Sequence, residues 1–178
     1  FDEANIAGYY NETYYSDYYV LPFEEKEDVA VNIYSKSYGE NWVRILWKND
    51  SNDAAGFVAS SETDYTKRTT QSMDIDMTDE EQLWCLVGSE SKGVKIYNRA
   101  AGEQYALHVA NTSEATPAKL VAASSACQWK LVAKNGFYAI TPASNTNMSI
   151  NSYGGPNSPL KLYNANDKKK KKNGKGVS

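Results

Sequence analysis

Short runs in which apolar and polar residues alternate recur along the chain. In Val94-Lys95-Ile96 and Leu107-His108-Val109 every second side chain is apolar, which is typical of a strand with one buried face. Clusters rich in Asn, Ser, Gly and Pro, such as 144–147 and 153–157, indicate turns between such runs. The best helical signal is a short capped turn over residues 78–82. The pattern therefore predicts an all-β fold of short strands.

The strands recur as a repeating unit. Trp84-Cys85-Leu86-Val87-Gly88 returns 45 positions later as Trp129-Lys130-Leu131-Val132-Ala133. Three more pairs follow in the same order, namely Gly93–Tyr97 with Gly136–Ile140, Tyr105–Val109 with Met148–Ser152, and Pro117–Val121 with Pro159–Tyr163. A weaker upstream copy consists of Val43–Leu46, Gly56–Ala59 and Ser72–Asp76. The sequence thus predicts three copies, over about 29–83, 84–128 and 129–178. Because Trp42, Trp84 and Trp129 follow the repeat, or nearly, we expect their rings in the core, and only Trp47 is free to be exposed.

One such unit is too small to bury its own apolar face, so three units must close around a shared axis. The chain of 178 residues suits a single domain of this kind, over 29–178. Residues 1–28 remain as an N-terminal extension with six tyrosines between Tyr9 and Tyr19. We expect this extension to pack on the domain, and the alternative is an aromatic surface on which a sugar stacks.

The first copy ends in Gln82-Leu83-Trp84, and this resembles the ricin-B-like β-trefoil family, whose repeats characteristically close on Gln-x-Trp. In the second copy Cys127 stands where Gln is expected, and the third copy has Lys or Gly near positions 171–174. The resemblance implies a β-trefoil and a lectin-like, carbohydrate-binding module without catalytic activity. Because such modules are often attached to secreted glycan-degrading enzymes, we expect a secreted or cell-surface accessory module with a glycan partner and a neighbouring catalytic domain.

The resemblance also implies where a sugar would bind. It places a polar anchor on the third strand of each copy and an aromatic residue after the fourth. The third copy provides the complete set, which consists of Asn151, Tyr153, Tyr163, Asn166 and Asp167. The second copy places His108 at the anchor and Ala122 and Ala123 at the aromatic position, and the first places Ala59 or Ser60 at the anchor. We therefore expect one sugar site, in the third copy.

A second hypothesis is a protein-interaction or spacer module that docks through the tyrosine-rich start. It includes a protease inhibitor, because the length and the early tyrosines are similar to those of trefoil inhibitors of the soybean Kunitz type. Two degenerate sugar sites out of three favour this hypothesis. A pull-down that depends on residues 9–19 would distinguish it from a lectin.

The charge distribution and the few reactive residues argue against several other classes of function. Lys168–Lys172 and Lys175 lie near the end of the sequence, and the rest has 13 basic against 22 acidic residues, a formal charge of −9, which argues against nucleic acid. Cys85 and Cys127 are compatible with one disulfide or with two thiols. With a single His108 and no nucleophile or zinc motif, the sequence predicts no enzyme, metal or cofactor, and no run is long enough to span a membrane.

Overall fold

The computed structural model describes residues 33–48, 52–134, 136–155 and 157–165. The fold of these residues is all-β, as the alternation predicts, with short 3₁₀ turns at Tyr65–Lys67, Glu80–Gln82 and Ala123–Ser125. The strands are β1 (Tyr34–Ser35), β2 (Asp53–Phe57), β3 (Thr70–Asp74), β4 (Trp84–Ser89), β5 (Gly93–Asn98), β6 (Tyr105–His108), β7 (Lys119–Ala122), β8 (Trp129–Lys134), β9 (Phe137–Pro142), β10 (Met148–Asn151) and β11 (Lys161–Asn164). In the described ranges no helix is long and apolar enough to cross a membrane.

Five strands form one sheet in the order β1-β4-β5-β8-β9. Two antiparallel hairpins, β4–β5 and β8–β9, provide most of it, and Val94 of β5 pairs with Trp129 of β8 where the hairpins join. Upstream, Val43 makes the same kind of bridge to Trp84. The repeated Trp segments are therefore the strands at which one hairpin meets the next.

The other six strands form three antiparallel hairpins, β2–β3, β6–β7 and β10–β11. Backbone hydrogen bonds join the hairpins to one another. Leu160 donates to Thr70 at 3.0 Å, and Ala118 donates to Leu160 at 2.9 Å. The Thr70 hydroxyl donates to the Ala118 carbonyl at 2.5 Å, so each hairpin contacts the other two.

Trp84 and Trp129 are the largest buried side chains of the core, with 1% and 0% exposed. Each indole reaches into the neighbouring hairpin, because Nε1 of Trp84 donates to the Ala55 carbonyl and Nε1 of Trp129 donates to the Leu107 carbonyl, both at 3.0 Å. A buried indole N–H needs such an acceptor, so the two rings both fill the core and fix the hairpins above it.

A buried ion pair fixes the loop between the first hairpin and β4. Arg68, 6% exposed, donates to both carboxylate oxygens of Glu81 and to the Val58 carbonyl. The Tyr65 hydroxyl donates to the same carboxylate at 2.6 Å, and the guanidinium lies over the rings of Tyr65 and Phe57. Burial, followed by the bond to Glu81, raises the pKa of Tyr65 to about 12.

Several sequence expectations need correction. Trp42, expected in the core, is half-buried in a surface cluster, where Tyr38 contacts it edge-on at 5.3 Å and Arg99 lies over its ring. The match of Gly93–Tyr97 with Gly136–Ile140 is wrong by one residue. Because Ile96 pairs with Leu86 and Ile140 with Leu131, the offset is 44, and the shorter turn before β9 accounts for the difference.

The two cysteines are thiols and are not bonded to each other. Cys85 is buried beneath the Tyr38 turn, where it accepts a hydrogen bond from the Gly39 amide. Cys127 is half-buried, and burial raises the pKa of its thiol. The tyrosine-rich extension and the lysine run lie outside the described residues.

Candidate functional site

The β10–β11 hairpin has one face in the core and one facing outward. Ile150 pairs with Leu162, which is fully buried, so these two side chains lie on the inner face. The pairs on either side of them, Ser149 with Tyr163 and Asn151 with Lys161, lie on the outer face, because side chains alternate along a strand. The hairpin therefore brings Asn151 and Tyr163 of the predicted set to one surface.

Tyr153 joins them from the turn that follows β10. It is one of the few large apolar side chains exposed among the described residues, at 42%, and its ring lies 5.0 Å from that of Tyr163, tilted by 36°. The two rings form a half-open aromatic surface beside an amide. Asn166 and Asp167, the other predicted site residues, lie outside the described residues.

The turn that carries Tyr153 is held from below. Ser152 is fully buried, and its hydroxyl donates to the Gly155 carbonyl at 2.7 Å. The same hydroxyl lies 2.6 Å from that of Ser72 in the first hairpin. Gly155 has φ of 97°, in the left-handed region that favours glycine. These hydrogen bonds hold the backbone at Ser152, and they therefore fix the backbone from which the Tyr153 side chain extends.

Sequence reasoning missed two polar neighbours of this surface, Ser149 and Lys161. Both are half-buried on the outer face, opposite Tyr163 and Asn151 respectively. The signal that identifies them is the two-residue alternation of β10 and β11, read outward from buried Leu162. A hydroxyl and an ammonium group thus extend the set of hydrogen-bonding groups around the amide.

The second hairpin presents no aromatic residue at the equivalent place. His108 pairs with Lys119 as Asn151 pairs with Lys161, and Val121 occupies the position of Tyr163, one residue before the predicted Ala122. The His108 ring is engaged, because its Nδ1 accepts a hydrogen bond from the Cys127 amide at 3.0 Å. This face lacks a surface on which a sugar ring would stack.

In the first hairpin the anchor position falls on Gly56 and not on Ala59 or Ser60. The Trp84 and Trp129 contacts align Ala55 with Leu107, so the following residues, Gly56 and His108, are equivalent. An added Cβ at this glycine would lie 2.6 Å from Sδ of Met73, so the Met73 side chain would have to move to admit a larger residue. The thioether of Met73 covers the place where an anchor would stand.

An open groove of about 720 Å³ lies beside the first hairpin, lined by residues 73–79, Gln82 and Asn157. Two of its three acidic side chains cap turns. Asp76 accepts from both the amide and the hydroxyl of Thr78, which lowers the pKa of this carboxyl, and Asp79 accepts from the Glu81 amide. Within the described ranges no group of three or more His, Cys, Asp or Glu side chains is placed to hold a metal ion.

The solved structures that are similar to this chain include a holotoxin and an agglutinin. One, described as the "Structure and mode of action of a mosquitocidal holotoxin", matches with a TM-score of 0.59 and 21% identity, over 74% of this chain and 16% of the other. The other, the Rhizoctonia solani agglutinin, matches with a TM-score of 0.51 and 16% identity, over 65% of this chain and 80% of the agglutinin.

No protein-family model and no curated protein sequence matches the chain. The chain spans 16% of the length of the holotoxin chain that it matches. At these identities the structural similarity concerns the fold alone.

Proposed function

We propose that this chain is a non-catalytic, lectin-like carbohydrate-binding module, built as a β-trefoil, with its sugar site on the outer face of the β10–β11 hairpin. The observation that carries the proposal is the pair of rings, Tyr153 and Tyr163, placed beside Asn151 on a solvent-facing surface. One of the similar structures is named an agglutinin, and this supports a carbohydrate-binding role.

The trefoil architecture is supported by contacts that recur along the chain. Val43 bridges Trp84, and Val94 bridges Trp129 in the same way. The three hairpins contact one another through the hydrogen bonds among Thr70, Ala118 and Leu160. Such recurrence agrees with three units that bury a common core, each too small to be stable alone.

The chemistry of the outer face suits a sugar ring. An aromatic face packs against the C–H surface of a pyranose, while a side-chain amide both donates to and accepts from neighbouring hydroxyls. Tyr153 and Tyr163 provide the rings, and Asn151 provides the amide. Because the β10–β11 pairing and the buried Ser152 hydroxyl fix the backbone of these residues, little backbone ordering accompanies binding.

A single shallow site of this size binds weakly, with Kd of about 1 mM, near −4 kcal/mol. Weak binding becomes useful when a second unit is attached, because linkage converts the second contact into an intramolecular one. We therefore propose that the module acts as an accessory unit that holds an attached glycan-degrading domain near its substrate, in a secreted or cell-surface protein.

Isothermal titration with candidate oligosaccharides chosen from a glycan array tests the site. Tyr163→Ala and Asn151→Ala should each weaken binding by about tenfold, since each removes roughly 1–1.5 kcal/mol of stacking or hydrogen bonding. His108→Ala is the matched control, because it changes the equivalent position of the second hairpin and should leave the affinity unchanged. Absence of glycan binding by the wild type would refute the function, and equal affinities for all variants would refute the site.

A further inference from the structure

In two of the three repeated units, a tryptophan ends the unit and makes the same two contacts. In each, the backbone of the tryptophan pairs with a valine, Val43 for Trp84 and Val94 for Trp129. In each, the indole donates to a carbonyl of the hairpin above, that of Ala55 or Leu107. All four contacted residues are buried, with 7% or less exposed. These contacts define the slot that the closing residue occupies.

The third unit has the same slot, and the strand registers identify its walls. Tyr138 corresponds to Val94, because the two residues precede the equivalent Ile140 and Ile96 by two positions. Ile150 corresponds to Leu107, because they pair with the equivalent Leu162 and Leu120. Tyr138 and Ile150 pack against the core but are only half-buried, unlike their counterparts. The third slot is therefore uncovered by the described residues.

Strand pairing shows the same opening. Among the described residues β9 pairs only with β8, although the equivalent β5 pairs with a strand on each side. The position at which a third tryptophan is expected, 171–174, reads Lys171-Lys172-Asn173-Gly174. None of these side chains is apolar or aromatic, so they are unsuited to a slot walled by Tyr138 and Ile150.

The N-terminal part of the chain has the chemistry that the slot needs, and it enters beside the slot. Residues 9–19 contain six tyrosines, and tyrosine has a high preference for strands. The described chain begins at Ile33 and Tyr34, which pack on the same core cluster as Tyr138 and Ile150. Burial and the Glu90 carboxylate are the main causes that raise the pKa of Tyr34 to about 12, and the Tyr138 hydroxyl lies close enough to add to this effect.

We propose that the tyrosine-rich segment 9–19 supplies the missing strand of the third unit, paired with the free edge of β9 and with an aromatic ring in the slot formed by Tyr138 and Ile150. The 14 residues from Tyr19 to Ile33 span up to about 45 Å when extended, which exceeds the width of a small domain. The strand removes an exposed sheet edge, a feature that folded proteins avoid. It also replaces the tryptophan that the third copy lacks.

Amide hydrogen exchange on the full chain tests this assignment at one residue. In the first unit the Val43 amide donates to the Trp84 carbonyl, so the equivalent Tyr138 amide should be protected by the added strand. Replacing four tyrosines together (Tyr14→Ser, Tyr15→Ser, Tyr18→Ser and Tyr19→Ser) should speed exchange at Tyr138 by more than about tenfold. The Val94 amide should not change, and it serves as the internal control for folding.

The matched control replaces Lys168–Lys172 by Ser, which should leave the Tyr138 amide protected. Protection that is lost in this variant and kept in the tyrosine variant would assign the slot to the C-terminal tail and overturn the proposal. Protection that falls on dilution, together with a larger sedimenting species, would assign the slot to a second copy and also overturn it. Rapid exchange of the Tyr138 amide in the wild type would show that the slot is empty, and this result would also overturn the proposal.

A second measurement uses the wild type, in case the tyrosine variant fails to fold. Photo-oxidative cross-linking joins tyrosine rings that lie in contact, and peptide mapping identifies the partners. We expect a cross-link between Tyr138 and the peptide that contains residues 9–19. If Tyr138 forms cross-links only with other parts of the chain, segment 9–19 does not lie in the slot.

Discussion

Trp129→Phe tests whether the indole contacts hold the hairpins onto the sheet. The ring of Trp129 is fully buried, and its Nε1 donates to the Leu107 carbonyl at 3.0 Å. Phenylalanine keeps an aromatic ring but removes this donor, and an unsatisfied buried carbonyl costs about 1–3 kcal/mol. The lost ring volume adds about 1–2 kcal/mol for the cavity. We therefore expect the free energy of unfolding to fall by about 3 kcal/mol.

Urea unfolding followed by circular dichroism measures this loss, with an unchanged m-value showing that the unfolding reaction is the same. Trp84→Phe should cost a similar amount, because its indole makes the equivalent bond to Ala55. Trp42→Phe is the matched control, since this half-buried ring loses only surface contacts with Tyr38 and Arg99 and should cost less than about 1 kcal/mol. Equal losses for Trp129→Phe and Trp42→Phe would refute the reasoning.

Three further predictions concern the ion pair and the turns. Glu81→Gln should lower the free energy of unfolding by about 2–3 kcal/mol in urea titrations, because Arg68 stays buried without its counter-charge, and a loss below about 0.5 kcal/mol would show that the pair adds nothing. The pKa of Tyr65 is raised from 10.0 to about 12. The protonated hydroxyl therefore stabilises the fold fully below pH 10, and this stabilisation is lost as the pH rises to about 12. NMR of the Tyr65 ring should follow the titration, and Glu81→Gln should lower its midpoint. Gly88→Ala should destabilise the chain by more than about 2 kcal/mol, because the new Cβ would lie 2.1 Å from the Gly93 carbonyl oxygen. Gly102→Ala has only a positive φ and open space and should cost about 1 kcal/mol in thermal melts, so equal losses would contradict the steric argument.

The sequence predicts strands well where a bulky residue recurs at a fixed interval. Trp84 and Trp129 mark β4 and β8, and both are buried at equivalent places. These predictions succeed because burial of one face imposes the two-residue period on the residues themselves.

Predictions that depend on loop length are less accurate. The first-copy anchor was expected at Ala59 or Ser60, and pairing places it at Gly56. The Trp42 ring was expected inside, yet it lies at the surface beside the turn that carries Tyr38, where Tyr38 and Arg99 contact it. Turns change length without altering the strands on either side, so a count along the sequence loses register at each turn.

The hairpin hydrogen bonds join residues that are far apart in sequence. Leu160 donates to Thr70, and the hydroxyls of Ser72 and Ser152 lie in contact, so the first hairpin is held by a segment made some 80 residues later. During synthesis the first hairpin therefore lacks these hydrogen-bond partners until the β10–β11 hairpin has left the ribosome. Loop closure over such separations is slow, and we expect the nascent chain to depend on chaperones until that final segment arrives.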